Sequence, residues 1–467
     1  MLKESMIRAK WLILAIATNL LVVACTSPKQ VDFNCEIPAA SSQPTQSQKL
    51  TIEMYVDGTP SMAGYVTHPT NAKTRYIDTI DLLDQILQTG WTPIPRTQPQ
   101  VQYYRLGETI KNIDRKDYLL AKQSKFYNGT DTTKFPLLGV SRIETAIKPA
   151  NDEKLTVIVT DLYQDGEDVI QLNKTILAQN YFNPNQPGYA VGILAVKSEF
   201  NGDVYLEDGS KRKFAYKTND NQGNTIKGQE YRPFYVIFLG RYSDISDYFK
   251  KLTESNKIPG DNHLTIFSPS NLIGGVSYLP DLPKTEEGLQ RLPNLTNDHV
   301  SLDRKDKTEL LEIDKNYTKD LSVNYNVPFL PLSNTLPVDP DFIQTEVNIK
   351  TSSSSTPLQE LPPDSPVQKA LELNQWKIDN QSLNFTTTIK PSIFPQPEIY
   401  LFTVDAVAKK VQKESWWSDW NATSNTSQDW KTYNLQPFME GLKNSTDNLM
   451  SNNKVVVGRF CFAIQKN

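Results

Sequence analysis

The chain has 467 residues, enough for two or three domains, with 49 basic against 53 acidic side chains and a formal charge of −4. So balanced and slightly acidic a composition argues against nucleic acid as a partner and against a basic patch for lipid headgroups. Three histidines make a histidine-rich zinc site improbable, and neither a Gly-x-Ser-x-Gly elbow nor a Walker-type phosphate loop occurs.

Lys3, Arg8 and Lys10 open the chain, Trp11 to Ala24 is almost wholly apolar, and Leu21-Val22-Val23-Ala24-Cys25 closes the run. The run is too short for a comfortable membrane span and polar sequence follows at once, which is the pattern of a secretory signal rather than an uncleaved anchor. Its end resembles a lipobox. That resemblance implies a signal peptide over 1–24, acylation of Cys25, and an extracytoplasmic protein held to a bacterial membrane by lipid. Thr26 rather than Asp after the cysteine favours sorting to an outer membrane where one exists. Without the signal region, whose three bases and one acid carry +2, the remaining charge is about −6. Residues 25–48 are rich in Ser, Pro and Gln and read as a flexible tether. In an oxidising compartment Cys35 and Cys461 are candidates for a disulfide pinning the tether to the last strand; sequence does not supply the geometry of a bridge, which leaves two separate thiols nearly as open.

From 49 to 267 apolar runs alternate with helical patterns. Leu50 to Val56, Val101 to Leu106, Leu155 to Thr160, Tyr189 to Val196 and Phe234 to Leu239 read as buried strands. Tyr76, Ile77, Ile80, Leu83 and Leu87 recur at helical spacing, and Gly90 is placed to stop that helix. Runs of this kind predict a largely parallel sheet covered on both faces, with a ligand site at the carboxyl ends of its strands. Lys197 to Tyr205 predicts a hairpin turning at Asn201-Gly202. Tyr231-Arg232-Pro233-Phe234 leads into the last core strand, with Arg232 a surface or packing residue.

Val56-Asp57-Gly58-Thr59-Pro60-Ser61-Met62 ends the first strand and brings one carboxylate and two hydroxyls to one point. Oxygen ligands alone suit a hard cation such as Mg²⁺, Mn²⁺ or Ca²⁺. This stretch resembles the metal-ion-dependent adhesion site of von Willebrand factor A domains, usually Asp-x-Ser-x-Ser, with Thr59 for the first serine. The family's second element, a loop hydroxyl before a helix, is matched by Gly139-Val140-Ser141-Arg142-Ile143-Glu144-Thr145-Ala146-Ile147. Gly129-Thr130-Asp131-Thr132-Thr133 is a rival, so Thr130 or Thr133 competes with Ser141. The third element, often Thr-Asp-Gly, is matched by Thr160-Asp161-Leu162, with Leu in place of glycine. The resemblance covers about the first half of the chain. It implies a divalent cation held by Asp57, Thr59, Ser61, Ser141 and Asp161, whose open position takes a carboxylate from a protein partner. Such a protein binds without catalysing a reaction.

Two alternatives stand beside it. One is an envelope scaffold or assembly protein of the same shape without the ion. Another follows from Asp57-Gly58-Thr59, which also resembles the Asp-x-Thr of haloacid dehalogenase phosphohydrolases. There Asp57 is the nucleophile, and Asp161 with Asp165 would hold Mg²⁺. Thr59 cannot supply the acid that most of those phosphatases carry two residues after the nucleophile.

Residues 268–302 are broken by Pro269, Pro280, Pro283 and Pro293 and read as a connector. Beyond it the period changes to two: Leu321, Val323, Tyr325, Val327; Ile343, Thr345, Val347, Ile349; Leu383, Phe385, Thr387, Ile389; then Val455 to Ile464. Half-buried antiparallel strands of this kind predict an all-β, sandwich-like region over 303–467, with 351–366 either a long loop or a linker between two small units. Trp416, Trp417, Trp420 and Trp430 offer rings for sugars or a partner, or else apolar area to bury against the sheets. Pro437 to Leu442 predicts a short helix beside them. The expected architecture is therefore α/β, with a Rossmann-like von Willebrand factor A domain followed by a β-sandwich.

Overall fold

The computed structural model describes residues 35–37, 46–88, 92–97, 99–163, 166–183, 188–206, 212–254, 258, 260–280, 299–353, 356–395 and 398–466. The expected signal peptide, Cys25, Gly90, Asp165, and Pro283 and Pro293 of the expected connector lie outside these residues. The protein is a mixed α/β structure in which strands dominate.

Its first half is built on β1 (Thr51–Asp57), α1 (Arg75–Gln88), β2 (Gln100–Leu106), β3 (Lys111–Ile113), α2 (Arg115–Tyr118), β4 (Lys154–Thr160), α3 (Gly166–Ala178), β5 (Tyr189–Ser198), the hairpin β6 (Asn201–Tyr205) and β7 (Lys213–Lys217), β8 (Arg232–Arg241), α4 (Tyr242–Glu254) and β9 (Asn262–Phe267). Seven of the strands form one sheet in the order β3-β2-β1-β4-β8-β5-β9. Side chains alternate across it. Ile52, Met54 and Val56 of β1 enter one core with Tyr76, Ile80 and Leu83 of α1 and Ile245, Phe249 and Leu252 of α4. Tyr55, Ile158, Ile193 and Ile237 point the other way, toward Val169, Leu172 and Ile176 of α3.

The sheet is mixed where a largely parallel one was expected. Only β2, β1 and β4 run parallel to one another; β3, β8, β5 and β9 are joined by antiparallel ladders. A continuous apolar run reports burial on both faces and carries no sign of direction. Here β5 returns as β8 through the β6–β7 hairpin, with no helical crossover to make the two parallel. Asn201-Gly202 is not the turn of that hairpin, since both residues lie within β6. Gly202 is needed for a different reason: a Cβ there would stand 2.7 Å from the Gly64 Cα.

The second half contains β10 (Val300–Lys305), β11 (Thr308–Ile313), β12 (Leu321–Pro328), β13 (Ile343–Ser353), β14 (Thr356–Glu360), β15 (Leu371–Asp379), β16 (Ser382–Ile389), β17 (Ile399–Ala408), α5 (Trp416–Asp419), the two-residue strands β18 (Asn421–Ala422) and β19 (Thr432–Tyr433), α6 (Leu435–Asn452) and β20 (Val456–Lys466). One sheet has six strands, β10-β11-β20-β17-β13-β14, and another three, β12-β16-β15. They pack through aromatic rings: Phe385 on Phe460 at 4.4 Å and Tyr325 on Phe462 at 6.0 Å between centroids.

This half is not all-β. The helix expected near Pro437 runs for 18 residues, from Leu435 to Asn452. Its Asn, Ser and Thr content is poor for helix propensity, but Leu435, Phe438, Met439, Leu442, Thr446 and Met450 line up on one buried face. That face continues the core beneath α3, and the two helices approach closely enough that a Cβ on Gly441 would meet Asn173 at 2.2 Å. Trp416, Trp417 and Trp420 are buried, with Trp416 stacked on His263 of β9 at 4.8 Å. One apolar core thus runs unbroken from the first sheet into the second half.

The expected tether is fastened where it is described. Cys35 is disulfide-bonded to Cys461 of β20, with Cα atoms 5.9 Å apart. Glu36 pairs with Lys307 at 2.6 Å. Further on, Arg96 reaches the Ser47 and Lys49 carbonyls at 2.6 and 3.1 Å while holding a buried ion pair with Asp244.

Candidate functional site

β1 stands at the point where the connections of the sheet diverge, with β2 on one side and β4 on the other. At such a switch point the loops leaving the carboxyl ends part and open a crevice. Asp57 ends β1 there, level with Leu106 of β2, and Asp161 follows the last residue of β4.

The chain turns sharply after Asp57. Gly58 N–H donates to the Leu106 carbonyl at 2.9 Å, and Pro60 starts a 3₁₀ turn over Pro60–Val66. Asp57 Oδ1 accepts from Thr59 N–H at 3.0 Å and from the Thr59 hydroxyl at 2.6 Å, and that hydroxyl lies 3.1 Å from Ser61 Oγ. Asp57 Oδ2 accepts from the Thr160 hydroxyl at 3.1 Å. Ser141, just before the turn Ile143–Ala146, lies beside the Asp57 carboxylate, and Ser61 beside Asp161, near enough for each hydroxyl to favour the ionised acid. All five side chains named from the sequence therefore meet at one place. The rival threonines do not: Thr130 turns its hydroxyl and amide onto Asn128 Oδ1, and Thr133 is exposed. After Ser141 the chain makes one 3₁₀ turn, Ile143–Ala146, in place of the expected longer helix.

Leu162 has φ +50°, the left-handed region that favours glycine. A leucine there costs about 1 kcal/mol, and burying its side chain, worth about 2 kcal/mol, offsets the strain. The backbone thus takes a glycine-like turn on a leucine.

The electrostatics are those of crowded acids. Asp57 is 1 % exposed and Asp161 6 %. Burial raises the Asp161 carboxyl to about 6, the Asp57 charge adds to it, and Arg232, the Tyr163 N–H and the Ser61 hydroxyl pull it partly back. Burial raises Asp57 as well, against hydrogen bonds from Thr59, Ser141 and Thr160. The two titrate as a pair.

Three further residues shape the site and were not singled out from the sequence as its members. Thr160 is the last residue of an apolar run, and its hydroxyl caps Asp57. Arg105 is a lone base within the strand run Val101 to Leu106; buried between Phe126 and Phe135, it donates to the Gly58 carbonyl at 2.9 Å. Gly58 has to be glycine because a Cβ would meet Arg105 Nε at 2.4 Å. Arg232 is not at the surface: it is buried against Tyr163 and Phe200 and donates to the Asp429 carbonyl at 3.2 Å. The Nε–H groups of both arginines find no acceptor among the described residues. The second half contributes a wall, since Thr432 pairs with the Tyr235 hydroxyl at 3.0 Å and Tyr433 packs on Tyr163.

Among the described residues no three His, Cys, Asp or Glu side chains converge. A cation here would rely on two carboxylates and three hydroxyls, a donor set that fits a hard, oxygen-preferring ion and few others. Compared with protein-family models and with curated proteins, the sequence matches none.

Proposed function

We propose that this protein is a cell-envelope binding protein that uses a divalent cation at Asp57, Thr59, Ser61, Ser141 and Asp161 to engage a protein partner. On this reading the first half is a von Willebrand factor A-like domain, the second half is a β-sandwich-like region with one added helix, and lipid on Cys25 holds the chain to the membrane. The observation that carries it is the convergence of those five oxygen-bearing side chains, from three separate loops, at the switch point of the sheet. The buried carboxyls repel one another, and a cation between them removes that repulsion. With few protein charges around it the ion keeps a position open for an incoming carboxylate.

Calorimetric titration of Mg²⁺, Mn²⁺ and Ca²⁺ into metal-stripped protein tests this reading. Saturable binding lost in Asp57→Ala is expected; heat that is absent, or unchanged in the mutant, refutes it.

A second reading, a metal-free scaffold, is favoured by Arg105 and Arg232. Their two positive charges balance Asp57 and Asp161 without an ion. Partner binding that is indifferent to chelator would support it. No observation favours a phosphohydrolase, in which Thr59, two residues after Asp57, would stand where most such phosphatases carry an acid; its hydroxyl donates to Asp57 Oδ1 instead.

A further inference from the structure

We propose that the loop of residues 136–140 sets the specificity of this site by seating a bulky apolar side chain beside the acidic residue of a protein partner. The inference rests on the cation-dependent reading and adds the chemistry of the partner. Large apolar side chains are seldom exposed on the described surface, yet Leu137 is 64 % exposed and Val140 50 %, immediately before Ser141. Neither belongs to either core. The fold nonetheless holds them in place. Leu138 packs on Gly107, where a Cβ would lie 2.4 Å from its Cδ1, and Arg142 N–H donates to the Gly107 carbonyl at 3.1 Å. Gly107 follows Leu106, the residue paired with Asp57. Val140 thus adjoins Ser141 at the oxygen cluster, and Leu137, backed by Gly129, stands three residues before Val140 on the same anchored loop.

Charge names the other part of the occupant. Arg105 acts through space on Asp57 and Arg232 on Asp161, with no ion pair in either case; counting these four charges, a divalent cation leaves the site two charges positive and calls for an anion. On the rim, Glu108 and Arg142 are both exposed and of opposite sign, which adds no net preference. An inorganic anion or an anionic sugar satisfies the charge but gains nothing from Leu137 and Val140. A peptide segment with Asp or Glu next to Leu, Ile, Val or Phe uses both.

The test is selection of displayed random heptapeptides on the immobilised full chain in Mg²⁺, with elution by EDTA. Enriched clones are expected to join an acidic residue to a bulky apolar neighbour. Leu137→Ser/Val140→Ser should bind Mg²⁺ with unchanged affinity by calorimetry, yet bind a synthetic peptide of the enriched sequence at least tenfold more weakly. Leu177→Ser, at an exposed apolar position elsewhere, should leave peptide binding unchanged. Acidic clones without apolar neighbours, full peptide affinity in the double variant, or no EDTA-eluted clone from protein that binds Mg²⁺ would each overturn the proposal. Absence of Mg²⁺ binding in the same preparation refutes the cation reading itself, so the two failures are separable.

Discussion

Replacing Asp57 by Asn should stabilise the cation-free protein, against the usual effect of altering a buried, hydrogen-bonded residue. Without a cation the Asp161 carboxyl rises from 3.8 to about 6 on folding. The difference corresponds to about 3 kcal/mol. For a carboxyl raised in the folded state, full stability is present below its ordinary value, near pH 4, and is lost as pH climbs through about 6. Burial is the larger cause and survives the mutation; the Asp57 charge does not. Asn keeps the shape, and the Thr59 and Thr160 hydroxyls can turn to serve its amide. In EDTA at pH 7.5, Asp57→Asn should therefore exceed the wild type by about 1 kcal/mol, and the advantage should vanish near pH 4. With Mg²⁺ at a hundred times its dissociation constant the wild type should gain about 2.7 kcal/mol, and the mutant nothing. Urea unfolding followed by tryptophan fluorescence measures both. A mutant less stable than wild type in EDTA at pH 7.5, with an equal response to Mg²⁺, would refute the reasoning.

Other consequences are as direct. Protons compete with the cation at Asp161, so affinity should fall about tenfold per pH unit below 6, as titrations at pH 7.5, 5.5 and 4.5 would show. Ser141→Ala should weaken cation binding while Thr130→Ala and Thr133→Ala leave it unchanged by calorimetry, because only Ser141 reaches Asp57. Cys461→Ser releases the Cys35 strap from β20. Closing a loop across 426 residues is worth about 6 kcal/mol in the chain-entropy limit; the loss seen in denaturant should be about 2–5 kcal/mol.

Much of this architecture is legible in the sequence because it rests on period. The buried runs ending at Val56, Thr160, Val196 and Leu239 become the central strands of the first sheet, and the period-two runs from Leu321, Ile343 and Leu383 become β12, β13 and β16. Direction is not legible, because β8 lies beside β4 through a hairpin that apolar runs do not encode. The full length of α6 was hidden by Asn, Ser and Thr; its apolar face matters only once α3 lies beneath it. At the site, Asp57, Thr59 and Ser61 stand in one short motif and read directly. Ser141 and Asp161 needed the strand framework to place them. Arg105 and Arg232 escaped because a lone base in a strand carries no mark of what it faces; only the register Val56 to Arg105 and the turn at Gly58 set it over the site. Leu162 shows the opposite case, a residue that departs from the glycine of the motif it resembles while its backbone takes the left-handed conformation a glycine would favour.

The most direct test of the central claim is a crystal of the protein grown in Mn²⁺ and recorded at the manganese edge. The account predicts one anomalous peak bounded by the Asp57, Thr59, Ser61, Ser141 and Asp161 oxygens. A well-ordered site without a peak, with Arg232 turned onto Asp161, would contradict it and leave the arginines as the only cations the site holds.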